Sequence, residues 1–352
     1  MKLWKTAFSA LALGAALGAP AEAQTRDEFN LAWSIYVGWM PWGYADEAGI
    51  VDRWAERYGI TINVTQFNDY VESVNQYTAG GYDAVTITNM DALSIPAAGG
   101  VDTTALIIGD FSSGNDAVIL KGEDDLQAIA GQTVNLVELS VSHYLLARAL
   151  DTIGLTERDI SVLNTSDADI AAAFQAPETT AVVTWNPLVS EILADPAAHS
   201  VFDSSQIPGE ILDMLVVNTQ VLEDNPDLGR ALVGIWYETL ALMTADTPEG
   251  AAARESMGRA AGTDREGFEA QLGATELFAT PRDALAFVTS PTLPTTMERV
   301  RAFLFEKGLL GPGAPSPDVV GIEFPDGSIM GDAENVRLRF TDSFVREIEN
   351  GF

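Results

Sequence analysis

The chain contains no cysteine and only two histidines among its 352 residues. Without cysteine, the protein has no disulfide, no thiolate nucleophile and no thiol that a lipid anchor could use. The two histidines form no HExxH pair, so the usual ligands of a zinc site are missing. The sequence also lacks a Gly-x-Ser-x-Gly elbow and a GxxxxGK[ST] phosphate loop. These absences argue against an enzyme, and we expect no catalytic residues, no cofactor and no bound metal.

Positive charge is scarce as well. Lysine and arginine together number 19 against 51 aspartates and glutamates, which gives a formal net charge of −32. Such a charge repels nucleic acid and anionic membrane surfaces, so we expect neither as a partner. Two explanations stay open for the acidic excess. It serves solubility, as in a salty habitat, or it concentrates a cationic ligand.

The first 23 residues have the features of a cleaved export signal. Lys2 and Lys5 precede a short apolar stretch at residues 7–17, and Ala21-Glu22-Ala23 forms a small-x-small cleavage site. The apolar stretch is shorter than the ~20 residues that a membrane-spanning helix needs. The sequence therefore predicts a periplasmic protein that carries no lipid anchor.

Strand-like and helix-like segments alternate through much of the chain. Apolar strand patterns at residues 132–137, 160–163 and 180–185 are separated by segments with helical periodicity. A first helix is predicted over Trp42 to Tyr58, and the chain from Pro226 onward is mostly helical. Alternating strands and helices predict an α/β fold with parallel sheets, whose ligands gather at the carboxyl ends of the strands.

The length of the chain after the signal suggests two domains. Polar, Gly-containing residues near Phe111–Asn115 and the end of an apolar strand at Met214–Asn218 predict two crossings between lobes. The predicted organisation is a signal peptide (1–23), lobe 1 (24–113 and 217–352) and lobe 2 (114–216).

Aromatic and polar residues are concentrated where predicted strands end. Aromatic faces attract cations and stack on flat ligands, while a buried carboxylate requires a partner that a cationic ligand would supply. Structural roles stay open beside these: the aromatics would also fill a core between the lobes, and Asp91 and Ser142 would also serve as helix N-caps. Asp110 is interpreted as a turn former. The candidate ligand-binding residues are Tyr36, Trp39, Trp42, Asn89, Asp91, Glu138, Ser140, Ser142, His143 and Trp185.

The order of these segments resembles ABC-transporter periplasmic solute-binding proteins of the nitrate/sulfonate/taurine type. Residues 49–64 are similar to the helix and strand of the family's first lobe, residues 82–91 to its third strand, and residues 121–187 to its second lobe. Within the family, Trp39-Met-Pro-Trp42 and Asn89-Met-Asp91 resemble the urea-carboxylase-associated branch.

The resemblance implies a two-lobed periplasmic-binding-protein fold of type II, in which each lobe is a mostly parallel sheet flanked by helices. It also implies that a small molecule binds in the cleft between the lobes. The expected partner is an ABC permease of the inner membrane with its ATPase, and we expect the protein itself to be a monomer.

The identity of the ligand is a separate question. In sulfonate and nitrate members of the family, the turn before a helix offers hydroxyls and backbone N–H groups to an anion, and Ser140 and Ser142 fit that pattern. Glu138 does not, and Lys121 is the one cationic residue between Gly59 and Arg148. An anion site normally includes a guanidinium group.

The sequence therefore favours a guanidinium or urea-like solute. A sulfonate, nitrate, taurine or pyrimidine-precursor ligand is the alternative on the same fold. A thiamine-precursor synthesis enzyme is the alternative of another class, although that resemblance normally brings a reactive cysteine or a histidine pair.

Overall fold

The computed structural model describes residues 26–351, so the predicted signal peptide lies outside the described residues. The strands are β1 (Glu28–Ser34), β2 (Thr61–Phe67), β3 (Ala84–Thr88), β4 (Thr103–Ser112), β5 (Asp116–Lys121), β6 (Thr133–Leu136), β7 (Ser161–Asn164), β8 (Ala181–Trp185), β9 (Ala198–Asp203), β10 (Leu212–Asn218), β11 (Thr275–Leu277), β12 (Gly321–Glu323), β13 (Ile329–Met330) and β14 (Val336–Phe340).

Helices surround these strands and make up most of the chain after β10. They are α1 (Met40–Glu47), α2 (Ile50–Tyr58), α3 (Tyr70–Thr78), α4 (Asn89–Ala92), α5 (Val141–Thr152), α6 (Asp167–Phe174), α7 (Leu188–Leu193), α8 (Thr219–Asp224), α9 (Pro226–Met243), α10 (Pro248–Ala260), α11 (Arg265–Leu272), α12 (Pro281–Val288), α13 (Thr292–Glu306) and α14 (Ser343–Glu349). None of the helices within residues 26–351 has the length and apolar character that crossing a bilayer requires.

The strands form two sheets, and each sheet is the centre of one lobe. The first sheet has the order β13-β12-β14-β4-β10-β3-β1-β2, with β11 paired to β4, and the second has the order β7-β6-β8-β5-β9. Two α/β lobes, each with its own sheet and flanking helices, are the fold class that the sequence predicts. The expectation that the sheets are mostly parallel is wrong, however, because both sheets are mixed.

Several of the antiparallel pairs lie next to the crossings between the lobes. Strand β10 runs antiparallel to β3 and β4, and β5 runs antiparallel to β8 and β9. The reason is geometric: a strand that leaves a sheet at one edge and a strand that re-enters at the same edge point in opposite directions. Of the other pairs, β11–β4 and β12–β13 are antiparallel, whereas β1–β2, β1–β3, β12–β14, β14–β4, β6–β7 and β6–β8 are parallel.

The chain crosses between the sheets twice. It leaves the first sheet after Ser112 and joins the second at Asp116, close to the predicted crossing at Phe111–Asn115. It returns between Asp203 and Leu212, and β10 then pairs with its neighbours in the first sheet along its whole length. The return crossing thus precedes Met214–Asn218, where the sequence placed it, because that apolar run is buried inside the first sheet.

One predicted helix is divided in two. Gly49 adopts a left-handed conformation with φ of 66°, which ends α1 and starts α2 where the pattern predicts a single helix over Trp42 to Tyr58. Left-handed backbone costs glycine little, so the break costs little energy at this residue. The break leaves α1 short, and Trp42 in it stacks on Trp236 of α9, with ring centroids 5.4 Å apart.

The second lobe buries both faces of its sheet. Along β5, Val118 and Leu120 belong to the main core, while Ala117 and Ile119 belong to a second cluster on the opposite face, as the alternation of a strand requires. Phe174 of α6 fills the centre of this second cluster and is fully buried.

We expect Phe174→Ala to lower the free energy of unfolding by about 3–5 kcal/mol, because the substitution removes a large buried ring and leaves a cavity. Chemical denaturation followed by circular dichroism measures this loss. The matched control is Leu163→Ala in the same lobe, because Leu163 is 51% exposed and its loss should change stability little. Equal effects of the two substitutions would contradict the packing described here.

Candidate functional site

Three strand ends of the first sheet meet at the face turned toward the second lobe. Thr88 ends β3, Asp213 lies near the start of β10, and Asp110 lies near the end of β4. Asp213 is the register partner of both Thr88 and Asp110. The antiparallel return of β10 therefore places two aspartates side by side at this edge.

A small cavity lies between this edge and the second lobe. The first lobe and the return crossing contribute aromatic, hydroxyl, carboxyl and aliphatic groups, and β5, β8 and α5 of the second lobe close the other side. The lining residues are Tyr36, Trp39, Tyr70, Thr88, Asp116, Val141, Trp185, Ile211 and Asp213.

Four aromatic rings form a continuous wall around the cavity. Tyr36 meets Trp39 edge-on with ring centroids 5.2 Å apart, and Trp39 lies 5.7 Å from Tyr70. Tyr70 in turn meets Trp185 edge-on at 5.7 Å, which joins the first lobe to the second. All four side chains are at most 5% exposed. Such rings stack on flat ligands and attract cations.

Three carboxyl groups are buried beside this wall. Asp110, Asp116 and Asp213 are 0%, 3% and 4% exposed. The hydroxyl of Tyr36 donates to Asp110 Oδ1 at 3.0 Å, and the hydroxyl of Ser112 donates to Asp116 Oδ2 at 2.5 Å. Oδ2 of Asp110 and Oδ2 of Asp213 have no hydrogen-bond partner in the described part of the chain. Buried oxygens of this kind are costly unless a ligand or a proton satisfies them.

Burial changes the protonation of these groups. It raises the pKa of Asp116 to about 7, although the hydrogen bond from Ser112 partly opposes this increase. Burial also raises the pKa values of Asp110 and Asp213, and the charge of Asp116 raises them further. Each carboxylate added to a desolvated group makes ionisation of the next more costly.

A fourth carboxyl group, that of Asp91, lies just behind the cavity wall. It accepts hydrogen bonds from the hydroxyls of Tyr70 at 2.7 Å and Thr88 at 2.9 Å. Burial raises the pKa of Asp91 to about 6, although these two hydrogen bonds and the backbone N–H of Val141 oppose the increase. The short helix α4, which contains Asp91, is capped by Thr88, whose hydroxyl accepts from the backbone N–H of Asp91.

The cavity lining contains neither lysine nor arginine. Two further buried polar atoms in this region have no hydrogen-bond partner among the described residues. Trp39 Nε1 is a donor, and the hydroxyl of Ser142 can either donate or accept. A ligand that fits these groups offers several N–H donors to the carboxylates and has a flat shape for the aromatic wall.

Five of the ten candidate residues come together here. Tyr36, Trp39 and Trp185 line the cavity, and Asp91 and Ser142 lie directly beside it. Ser142 is the second residue of α5, whose N-terminus points to the cleft through Val141.

The other five have different surroundings. Trp42 lies behind Trp39, stacked on Trp236. Asn89 accepts from the backbone N–H of Leu212 and donates to the carbonyl of Glu210, so it holds the return crossing. Glu138 is exposed, Ser140 caps α5, and His143 bonds Glu157 at 2.9 Å.

Tyr70, Asp116 and Asp213 line the cavity and are absent from the sequence-based candidates. One signal points to the two aspartates: each stands at the edge of an apolar run that forms a strand, where an acid is unexpected. No such signal exists for Tyr70, whose position depends on how α3 packs. Within residues 26–351, no group of three or more His, Cys, Asp or Glu side chains is arranged to hold a metal ion.

The lobes also contact each other away from the cavity. Glu210 in the return crossing is 3% exposed and accepts from Tyr144 at 2.5 Å, Arg148 at 2.9 Å and Arg299 at 2.7 Å. Burial would raise the pKa of Glu210, but the hydrogen bonds from Arg148 and Tyr144 lower it below its usual value. The network joins α5 of the second lobe to α13 through the crossing.

A second contact lies at the start of α3. Both carboxylate oxygens of Asp167, the first residue of α6, accept from the backbone N–H of Tyr70 at 3.3 Å. The hydroxyl of Ser166 donates to Asp69 at 2.6 Å. The N-terminus of a first-lobe helix is thereby bound by a second-lobe carboxylate, an arrangement favoured by the helix dipole.

Comparison with known proteins agrees with this architecture. A family model described as the NMT1-like family matches residues 32–257, which is well over half of the chain. The chain belongs to the NMT1-like family. The match includes both sheet edges of the cavity and all four aromatic rings.

Relatives of this NMT1-like chain are distant in sequence. Proteins of Brucella abortus and Brucella suis that are named as binding proteins are 24% identical over 227 residues, 60% of this chain and 67% of each relative.

Solved structures share the fold. The alkanesulfonate-binding protein SsuA of Xanthomonas axonopodis bound to MOPS superposes with a TM-score of 0.65 at 16% identity, covering 82% of this chain and 96% of that one. The nitrate-binding protein NrtA of Synechocystis superposes with a TM-score of 0.58 at 12% identity, covering 93% and 98%. The fold is therefore that of periplasmic solute-binding proteins.

We expect Glu210→Gln to lower the free energy of unfolding by about 1–3 kcal/mol, because hydrogen bonds between charged groups are lost at a buried position. Chemical denaturation measures the change. Glu255→Gln is the matched control: it removes an exposed partner of Arg259 at 3.1 Å, and exposed pairs contribute about 0–1 kcal/mol. A Glu210→Gln protein as stable as the control would contradict the role of the network.

Proposed function

We propose that the protein is the periplasmic solute-binding component of an ABC importer and that it is not an enzyme. The likeness to SsuA and NrtA supports this, as do the Brucella relatives named as binding proteins. In this proposal the protein captures its ligand in the cleft, and the closed form presents both lobes to an inner-membrane permease driven by an ATPase. The predicted export signal agrees with a periplasmic location.

We further propose that the ligand is guanidinium or a urea-like amide. One observation carries this proposal: the carboxyl groups of Asp116 and Asp213 line a cavity whose lining includes no lysine or arginine. A buried carboxylate requires a partner. A small cation with several N–H donors supplies that partner, and its flat, delocalised shape suits the rings of Trp39, Tyr70 and Trp185.

A urea-like amide satisfies a further group. Its carbonyl oxygen would accept from Trp39 Nε1, which has no hydrogen-bond partner among residues 26–351. Its N–H groups would donate to the same carboxyl groups as those of guanidinium. The difference between the two ligands lies in charge, and the carboxyl groups favour the charged one when they are ionised.

Capture depends on closure of the lobes. The cavity takes Tyr36, Trp39 and Tyr70 from the first lobe and Val141 and Trp185 from the second. A ligand stabilises the closed form only through contacts that it makes in that form alone. A ligand between Trp185 and Trp39 makes such contacts with both lobes at once.

A sulfonate or nitrate is the second candidate. The unpartnered hydroxyl of Ser142 at the N-terminus of α5 favours it, because helix N-termini attract anions. The neighbouring carboxyl groups disfavour it, since an anion placed between them meets like charge without a compensating guanidinium.

We expect calorimetry on ligand-free protein to detect binding of guanidinium or urea and no binding of taurine or nitrate. Trp185→Ala should weaken binding of guanidinium by about 2- to 30-fold, because one cation–π contact contributes about 0.5–2 kcal/mol. Phe305→Ala is the control, since Phe305 is 37% exposed and lies outside the cavity lining.

Binding of taurine or nitrate, with no heat from guanidinium or urea, would reject the proposed ligand and favour the second candidate. Equal weakening by Trp185→Ala and Phe305→Ala would place the ligand elsewhere than the cavity.

A further inference from the structure

Asp110 and Asp213 form a pair of carboxyl groups at the inner edge of the first sheet. They are register partners on β4 and β10, and their side chains lie within hydrogen-bonding reach of each other. The pair is tightly enclosed: a methyl group on Gly38 would lie 2.5 Å from Asp110 Oδ2. Position 38 therefore requires glycine, because a Cβ atom at that distance from the oxygen would be repelled.

Within residues 26–351, no lysine, arginine or histidine forms an ion pair or a hydrogen bond with either aspartate. Tyr36 donates its hydroxyl to Asp110, and Asp116 of β5 faces the pair from the second lobe. Thr88 of β3 and Leu277 of β11 are the strand neighbours on either side. The next titratable group is Asp91, whose charge acts on Asp116. The surroundings are therefore acidic or neutral throughout.

Two adjacent carboxylates cannot both be ionised cheaply under these conditions. Like charges in a desolvated site raise the pKa of one member, as in other pairs of carboxyl groups that share a site. A shared proton also gives a partner to an oxygen that otherwise has none, since Oδ2 of each aspartate is unpaired. The residues described around the pair offer it no other source of positive charge.

We infer that Asp110 and Asp213 share one proton in the ligand-free cleft, and that a cationic ligand releases this proton when it binds. The inference rests on the proposed function. It assigns to Asp110 and Asp213 the preference of the site for a charged ligand over a neutral one. The step balances: the carboxyl O–H gives its proton to the solvent, and an N–H of the cation takes its place between the oxygens. The charge of the site does not change in the exchange.

The inference separates the two proposed ligands. A guanidinium ion competes with the proton, so its affinity rises with pH until the pair is ionised without it. Burial and the neighbouring acids raise the pKa values of both aspartates, so the rise extends from acidic solution toward neutral or higher pH. Neutral urea does not compete, because the protonated pair can donate to its oxygen and accept from its nitrogen.

Calorimetry in buffers of different ionisation enthalpy tests this on the full-length mature protein. Titration with guanidinium chloride in mildly acidic solution should release about one proton per ligand, and affinity should rise by about tenfold per pH unit below the titration range of the pair. Titration with urea should release none, and its affinity should not rise with pH.

Asp213→Asn and Asp110→Asn should abolish the proton release and flatten the pH profile for guanidinium, while circular dichroism verifies folding. Asp83→Asn is the matched control, because Asp83 is equally buried but bonded to Arg26 at 2.6 Å, outside the cavity. It should keep the proton release of the unsubstituted protein.

Infrared spectra of the ligand-free protein give a readout that needs no ligand. Besides bands from Asp91 and Asp116, whose pKa values burial also raises, the protonated-carboxyl region at mildly acidic pH should contain a band that is lost in Asp213→Asn. Guanidinium binding without proton release, or absence of this band, would overturn the inference and leave the proposed function intact. Absence of guanidinium binding would reject the proposed ligand and the release together, whereas the band would still establish the shared proton.

Discussion

The burial of carboxyl groups without a cation controls the chemistry of this protein. Asp110, Asp116 and Asp213 are withdrawn from water where the two lobes meet, and neither lysine nor arginine lines the cavity beside them. Transferring an isolated carboxylate from water to the protein interior costs far more free energy than one hydrogen bond contributes. The site must therefore hold protons, a cationic ligand, or first one and then the other. This requirement links the protonation state of the carboxyl groups in the cleft to the charge of the ligand.

Three cationic residues lie at the rim of the interface instead. Arg148 and Arg299 bind Glu210, and Lys307 binds Glu157 at 2.5 Å, so these cations stabilise contacts around the cleft rather than inside it. The two crossings are joined to each other by neutral groups, because the hydroxyls of Ser112 and Ser204 are bonded at 2.6 Å. The field at the cavity therefore remains acidic, and aromatic rings supply most of the remaining wall.

Much of this was predictable from particular residues. Tyr36, Trp39 and Trp185 line the cavity because aromatic residues after a strand face the carboxyl edge of the sheet. Asp213 and Asp116 were missed, since their role depends on β10 and β5 running against their neighbours, and a strand pattern contains no information about direction. Asn89 shows the converse: it follows β3 as expected, yet it bonds the return crossing.

By itself, the sequence determined the α/β character, the existence of two lobes, the predominance of acids over bases and the aromatic content of the cleft. These properties follow from periodicity and composition, which are local or additive along the chain. Only the tertiary structure decided which acids meet. Asp110 and Asp213 are distant in sequence and become neighbours through the antiparallel return of β10. Electrostatic energy depends on distance in space and on exclusion of water, and neither is set before the chain has folded.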